Sequence, residues 1–176
     1  MKRCDFDVAV LGGGSAGYAA ARTAAGAGLK TVVIEGGREV GGLCILRGCM
    51  PTKALLYAAE VMHLASHPEP WGIRAGKVGF DFKKVMARKN ALIRAFADYR
   101  VQQLNSREFK FIRANARFVD AHTVELDLPR SSRRKEAQIE KPESGKRKAE
   151  SERQSLLTSA ATLTAKHLII ATGSRV

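Results

Sequence analysis

The segment Gly12-Gly13-Gly14-Ser15-Ala16-Gly17 limits what this chain can fold into more than any other. It follows a short apolar run, Phe6-Asp7-Val8-Ala9-Val10-Leu11, which reads as a buried first strand. It opens an Ala-rich stretch from Ser15 to Ala27, which reads as a helix stopped at Gly28. Thr31-Val32-Val33-Ile34 then reads as a second strand closing on Glu35. Strand, helix, strand in that order implies a parallel sheet with a right-handed crossover.

The pattern G-x-G-x-x-G alone is a weak signal. Between a strand and a helix, with an acid ending the next strand, it is the fingerprint of a dinucleotide-binding fold. Gly12 permits the tight turn, Gly14 lets a pyrophosphate approach the backbone, and Gly17 lets helix and strand pack closely. The first helical turn, with Ser15 and Ala16, offers amides and partial positive charge to phosphates. Glu35 is expected to accept from ribose hydroxyls and to repel a 2′-phosphate. The fingerprint does not by itself separate FAD from NAD.

The three cysteines are Cys4, Cys44 and Cys49. Cys4 stands alone before the first strand. Cys44 and Cys49 can close a disulfide if the chain turns at Gly48 and enters a helix, for which Pro51 suits the first turn. Cys49 at a helix N-terminus is expected to have a lowered thiol pKa, which suits dithiol exchange. A zinc site and an inert thiol pair are the alternatives. Zinc wants four ligands, and none of His63, His67, His122 and His167 pairs with the cysteines in ligand spacing.

Further along, Gly36 to Gly48 reads as a glycine-rich loop and Pro51 to Ala65 as a helix. Ala54, Ala58, Val61 and Ala65 form its apolar face, and Pro68 and Pro70 end it. A second helix spans Phe82 to Leu104, with Val85, Leu92, Phe96 and Tyr99 as its stripe. Phe109 to Ile112, Ala116 to Val119, His122 to Leu126, Leu163 to Ala165 and Leu168 to Ala171 read as strands. Between them, residues 129–155 are polar and charged and are expected to form a disordered insertion within a hairpin.

The net charge of +13 raises nucleic acid as a partner. From Lys83 to Arg117 ten basic residues face Asp98 and Glu108; from Arg130 to Arg153 nine face five Glu. No aromatic interleaves the second stretch and no nucleic-acid motif accompanies either. The reading is solvated faces and a charged loop rather than a nucleic-acid surface. No apolar run approaches the roughly 18 residues of a membrane span, and the start carries no apolar signal core, so a cytoplasmic protein is expected.

The segment Gly41-Gly42-Leu43-Cys44-Ile45-Leu46-Arg47-Gly48-Cys49-Met50-Pro51-Thr52-Lys53, soon after the fingerprint, resembles the pyridine nucleotide-disulfide oxidoreductases. That family includes dihydrolipoamide dehydrogenase, mercuric reductase and glutathione reductase. Ala171-Thr172-Gly173 resembles its Ala-Thr-Gly segment. The resemblance implies an α/β, Rossmann-like FAD-binding fold with a parallel sheet, crossover helices and an antiparallel β-meander. It implies that FAD binds through Gly12, Gly14, Ser15, Ala16, Gly17, Glu35, Gly42, Ala116, Thr172 and Gly173. By resemblance, Cys44 exchanges with a disulfide or dithiol substrate, Cys49 lies against the flavin, and Lys53 lies near the ring's reactive edge. Leu43 stands where the family usually has Thr, so one hydroxyl contact is lost, and Ile45-Leu46-Arg47 differs from the usual dihydrolipoamide dehydrogenase wording.

No second fingerprint and no His–Glu pair follow. The chain is therefore expected to be a partial FAD-binding domain, without the NAD(P) and dimerisation domains and inactive alone. The complete protein is expected to be a homodimer passing electrons from NAD(P)H through FAD to the Cys44–Cys49 disulfide and on to substrate. A mercuric reductase-like enzyme and a non-catalytic FAD-binding remnant are the alternatives.

Overall fold

A computed structural model of the chain describes residues 4–128 and 161–174. The expected insertion at 129–155 lies outside them. The strands are β1 (Phe6–Leu11), β2 (Thr31–Ile34), β3 (Lys110–Ile112), β4 (Asn115–Phe118), β5 (Thr123–Asp127) and β6 (Ala161–Ile170). The helices are α1 (Ser15–Gly26), α2 (Gly42–Leu46), α3 (Cys49–Ser66) and α4 (Phe82–Leu104), with a short 3₁₀ turn at Glu69–Trp71.

The strands lie in the order β3-β2-β1-β6-β5-β4. β1 pairs in parallel with β2 and β6, and β2 in parallel with β3. β4, β5 and the first part of β6 are antiparallel. This is the expected α/β, Rossmann-like arrangement with an antiparallel meander. Strand periodicity sorts the core into two layers. Val8, Val10 and Val33 face α1 and the end of α4, where Ala21 and Leu104 are buried with them. Ala9, Leu11, Val32 and Ile34 face the meander, packing with Val124, Leu126, Leu163 and Ala165. Burying β1 and β2 on both faces explains their near-continuous apolar sequence.

The end of α1 is closed by two backbone bonds, from Gly28 N–H to Ala25 O and from Leu29 N–H to Ala24 O. That pair is a Schellman motif, placed where the sequence put the stop. α4 begins at an Asp81 side-chain cap that accepts from Lys84 N–H at 3.1 Å.

Three sequence readings are corrected. Gly42–Leu46 is helix rather than loop. Leu163–Ala165 and Leu168–Ala171 do not form two strands; β6 runs unbroken from Ala161 to Ile170. On α4, Phe96 and Tyr99 are 40% and 58% exposed, so the packed stripe does not run through them. It runs through Val85, Leu92, Ile93, Arg100 and Leu104, which are half-buried or buried, because α4 packs on α2 and α3 for much of its length.

The two halves of β6 meet at Thr164. Its antiparallel partner is Thr123, while the next residue, Ala165, already pairs in parallel with Phe6. Asp5 fixes this junction. Its carboxylate accepts from Thr164 N–H at 2.9 Å and Thr164 Oγ1–H at 2.8 Å. Its own N–H donates to Thr164 Oγ1 at 3.0 Å. The backbone and side-chain bonds from Thr164 hold the Asp5 carboxyl below its usual range. A carboxyl depressed in the folded state contributes stability above its unfolded pKa and loses it as pH falls through the folded value. The urea midpoint is therefore expected to drop as pH is lowered below about 4. Asp5→Ala is expected to be less stable at neutral pH and to lose less on acidification. An unchanged acid profile in that variant would show that the junction does not depend on Asp5.

Candidate functional site

The C-terminal ends of β1, β2 and β6 converge on one cleft, where an open α/β sheet that changes winding direction binds ligands. β1 leads into the Gly12 turn, whose N–H donates to Ile34 O on β2 at 2.7 Å. Leaving β6, Ala171 N–H donates to Leu11 O at 2.8 Å. Two glycines are required by close approach. A Cβ on Gly12, at φ +112°, would stand 2.2 Å from Ala171 O, and one on Gly17 would stand 1.8 Å from Gly12 O. Leu104 props the turn from beneath; a Cβ on Gly13 would stand 3.3 Å from its Cδ1.

Gly14 differs. It caps α1 in an extended conformation, φ −69°, with no side-chain bond to the first-turn amides. A Cβ there would meet only Gly42 Cα, at an ordinary 3.5 Å. The protein itself does not need Gly14 bare. Ser15 and Ala16 are exposed at the head of α1, beside that open backbone.

Glu35 has a use the sequence did not reveal. Its two carboxylate oxygens accept from Gly13 N–H at 2.7 Å and Gly37 N–H at 2.6 Å. It ties the fingerprint loop to the β2 exit and keeps further lone pairs for outside donors. Ala114 N–H donates to Glu35 O at 3.2 Å, and Ala116 lies two residues farther along on β4, half-buried. Thr172 and Gly173 are exposed just past the Ala171–Gly12 contact. Gly12, Gly13, Glu35 and Ala171 are thus joined at the C-terminal ends of β1, β2 and β6.

The cysteine segment enters the same cleft through Gly42. A Cβ on Gly42 would stand 2.8 Å from Gly14 Cα, so α2 starts directly against the fingerprint loop. Cys44 lies within α2, half-buried, and Cys49 is the first residue of α3, exposed. Pro51 falls in the first turn of α3, as expected. Cys44 and Cys49 are both free cysteines. Lys53 is exposed one turn along α3.

The expected lowering of the Cys49 thiol pKa is not met in this dithiol form. Cys44 pushes it up, first as hydrogen-bond partner and then by its charge, with burial adding to the rise. The Cys49 amide and the Lys53 ammonium pull the other way but do not prevail. The helix-terminus argument left out the neighbouring sulfur, which competes for the same proton.

A family model described as pyridine nucleotide-disulphide oxidoreductase matches residues 6–176. The fold and the paired cysteines beside a dinucleotide fingerprint define that class, and the chain belongs to this family. A dihydrolipoyl dehydrogenase of Chlamydia trachomatis is 37% identical over 136 residues, covering 69% of this chain and 29% of the relative. One from Bacillus subtilis is 45% identical over 89 residues, covering 51% and 19%. The HOCl-induced flavoprotein disulfide reductase RclA from Escherichia coli superimposes with a TM-score of 0.62 over 97% of this chain, at 20% identity, which shows shared fold. That superposition covers 28% of RclA. The chain thus spans less than a third of the length of these proteins. No helix among the described residues is long and apolar enough to cross a membrane.

Two outcomes check this geometry. Gly17→Ala is expected to destabilise the fold by about 1–3 kcal/mol or more, because the clash is with backbone; wild-type stability by urea unfolding would contradict the close approach. In the reduced protein, the pH midpoint for Cys49 alkylation by iodoacetamide is expected to fall on Cys44→Ser and to rise on Lys53→Met. Peptide mass spectrometry reads both, and a midpoint unmoved by Cys44→Ser would refute the coupling.

Proposed function

We propose that this chain is the FAD-binding part of a disulfide oxidoreductase in which Cys44 and Cys49 form the redox-active pair. The observation that carries the reading is the packing of Gly42 against Gly14, which joins the fingerprint loop and the cysteine segment in one cleft. A dinucleotide phosphate fits the bare backbone at Gly14, since nothing in the protein demands that glycine. Bound FAD would supply two-electron transfer between a nicotinamide and a disulfide.

The chain's own residues then divide the work. The first-turn amides of α1, with Ser15 and Ala16, receive the pyrophosphate, and Gly14 gives it room. Glu35, already fixed by two amides, accepts from ribose hydroxyls. Ala116, Thr172 and Gly173 border the cofactor by backbone. Cys49 faces the flavin, Lys53 supplies positive charge beside it, and Cys44 exchanges with the disulfide or dithiol substrate. Exchange runs through a mixed disulfide at Cys44, whose displacement by Cys49 releases the reduced substrate and restores the Cys44–Cys49 bond.

The dihydrolipoyl dehydrogenase relatives favour a lipoamide-type substrate, its disulfide reduced at the expense of NAD(P)H or its dithiol oxidised with NAD(P)+ as acceptor. The complete protein would be a cytoplasmic homodimer carrying the NAD(P) and dimerisation domains. Nucleic acid is not a proposed partner.

Gly14→Ala separates ligand room from folding. It is expected to leave urea stability unchanged and to weaken FAD binding by roughly tenfold or more, the weight of one charge-assisted hydrogen bond. Undiminished FAD affinity by fluorescence titration would remove the phosphate site from Gly14. The sulfur assignment is tested in the complete protein with FAD bound. Cys44→Ser frees Cys49 beside the oxidised flavin and is expected to give a long-wavelength absorbance band without reductant, fading as pH falls. Cys49→Ser is expected to give none. A band in the Cys49 variant alone would reverse the two roles.

A further inference from the structure

A second concavity lies between the loop after β2, the end of α2 and the middle of α4. Its volume is about 520 Å³, within the range of small-molecule sites. None of the residues assigned above to the flavin or to the cysteine pair lines it. Ile93 and Ala97 lie one turn apart on α4 and so share a helix face; with Val40 and Leu46 they give the cavity a half-buried apolar lining. Four arginines line it too, Arg38, Arg47, Arg94 and Arg113, against two acids, Glu39 and Asp98. Arg47 is ion-paired with Glu39. Arg113, half-buried, donates to the carbonyls of Gly37 and Arg38, which are neutral partners. Among the described residues, Arg38, Arg94 and Asp98 take part in no ion pair. Four cations against two acids leave a surplus of two positive charges around the apolar lining. Arg94 and Arg113 belong to the basic stretch that the sequence reads as solvated faces; here they line a cavity.

We propose that this cavity is a binding site, separate from the flavin cleft, for an organic carboxylate: a hydrocarbon body ending in one carboxylate group. The apolar lining selects the body. A sugar or a nucleobase would bring hydroxyls and ring nitrogens onto Val40, Leu46, Ile93 and Ala97, whose side chains offer no partner. Polar groups left unpaired in this way weaken binding. A hydrocarbon loses nothing there and leaves water. The arginines select the head. A guanidinium presents paired N–H donors that match the two oxygens of a carboxylate, and Arg38 and Arg94 have no carboxylate of their own. Arg113 adds a charge fixed in place by its carbonyl partners. Asp98, one turn after Arg94 on α4, opposes an anion, so removing its charge should strengthen binding.

The test is isothermal titration calorimetry of the full chain with octanoate, below its micelle-forming concentration, beside two controls. Acetate keeps the charge without the body, and octanamide keeps the body without the charge. Octanoate is expected to bind at least about tenfold more tightly than either, since both the buried methylenes and the charged contacts contribute. Arg38→Gln and Arg94→Gln are each expected to weaken octanoate by about three- to tenfold, the scale of a charge-assisted contact at a partly solvated site. Asp98→Asn is expected to tighten it by about twofold or more. These three side chains are exposed, so their variants should fold, and a urea midpoint checks this. Ala97→Leu, which fills the lining, is expected to abolish binding; should it fail to fold, the charge variants carry the test alone. Octanamide or acetate binding as tightly as octanoate, or neutral arginine variants with wild-type affinity, would overturn the proposal. Octanoate displaced by added FAD would overturn the assignment of a separate site, whereas FAD that fails to bind while octanoate does would count against the flavin reading alone.

Discussion

Everything at this site depends on the crowding of three backbones at the exit of β1. Gly12 lies against Ala171, and Gly17 lies against Gly12, at separations no side chain could share. That contact locks the end of β6 to the turn and brings the head of α1 down onto the sheet. The amides of α1 then open into the cleft, and the carboxylate of Glu35 reaches Gly13. Without it, neither the fingerprint loop nor the surface that receives Gly42 would exist in fixed form.

The second level of construction is how β6 serves two sheets. Its first residues belong to the antiparallel meander and its last to the parallel layer, with Asp5 and Thr164 holding the change of partner. The meander can therefore cover one face of β1 and β2 while α1 and Leu104 cover the other. Because both faces are closed by packing, the strand ends are left as the place for chemistry. The cysteine segment reaches that place along α2 and α3, which lean on α4 rather than on the sheet.

The β1–α1–β2 unit was legible because its signals agree: an apolar run, glycines at fixed spacing, a Schellman stop and a β-branched strand. The cysteine motif was legible because its chemistry is written in residue type and spacing. β6 was read as two pieces because Lys166 and His167 are polar and exposed just past the change of partner. α2 was read as loop because two glycines open it and it has only five residues; packing against α1, α3 and α4, not propensity, makes it helical. Phe96 and Tyr99 misled the stripe on α4, since their bulk suggested burial while Arg100 holds the packed position. No pattern marks Arg100 in a basic helix; only its place on Tyr18 singles it out. The upward push on Cys49 was equally hidden, because it depends on how closely two sulfurs approach.

The central claim is that a flavin and the Cys44–Cys49 pair share one electron path. An anaerobic reductive titration of the FAD-bound protein tests this most directly, with dithionite as the electron source and flavin absorbance and free thiols followed together. The expected result is uptake of twice the electrons a flavin alone would take, with thiols appearing as the first half is consumed. Uptake that stops at the flavin's own capacity, with both cysteines unchanged, would contradict the account.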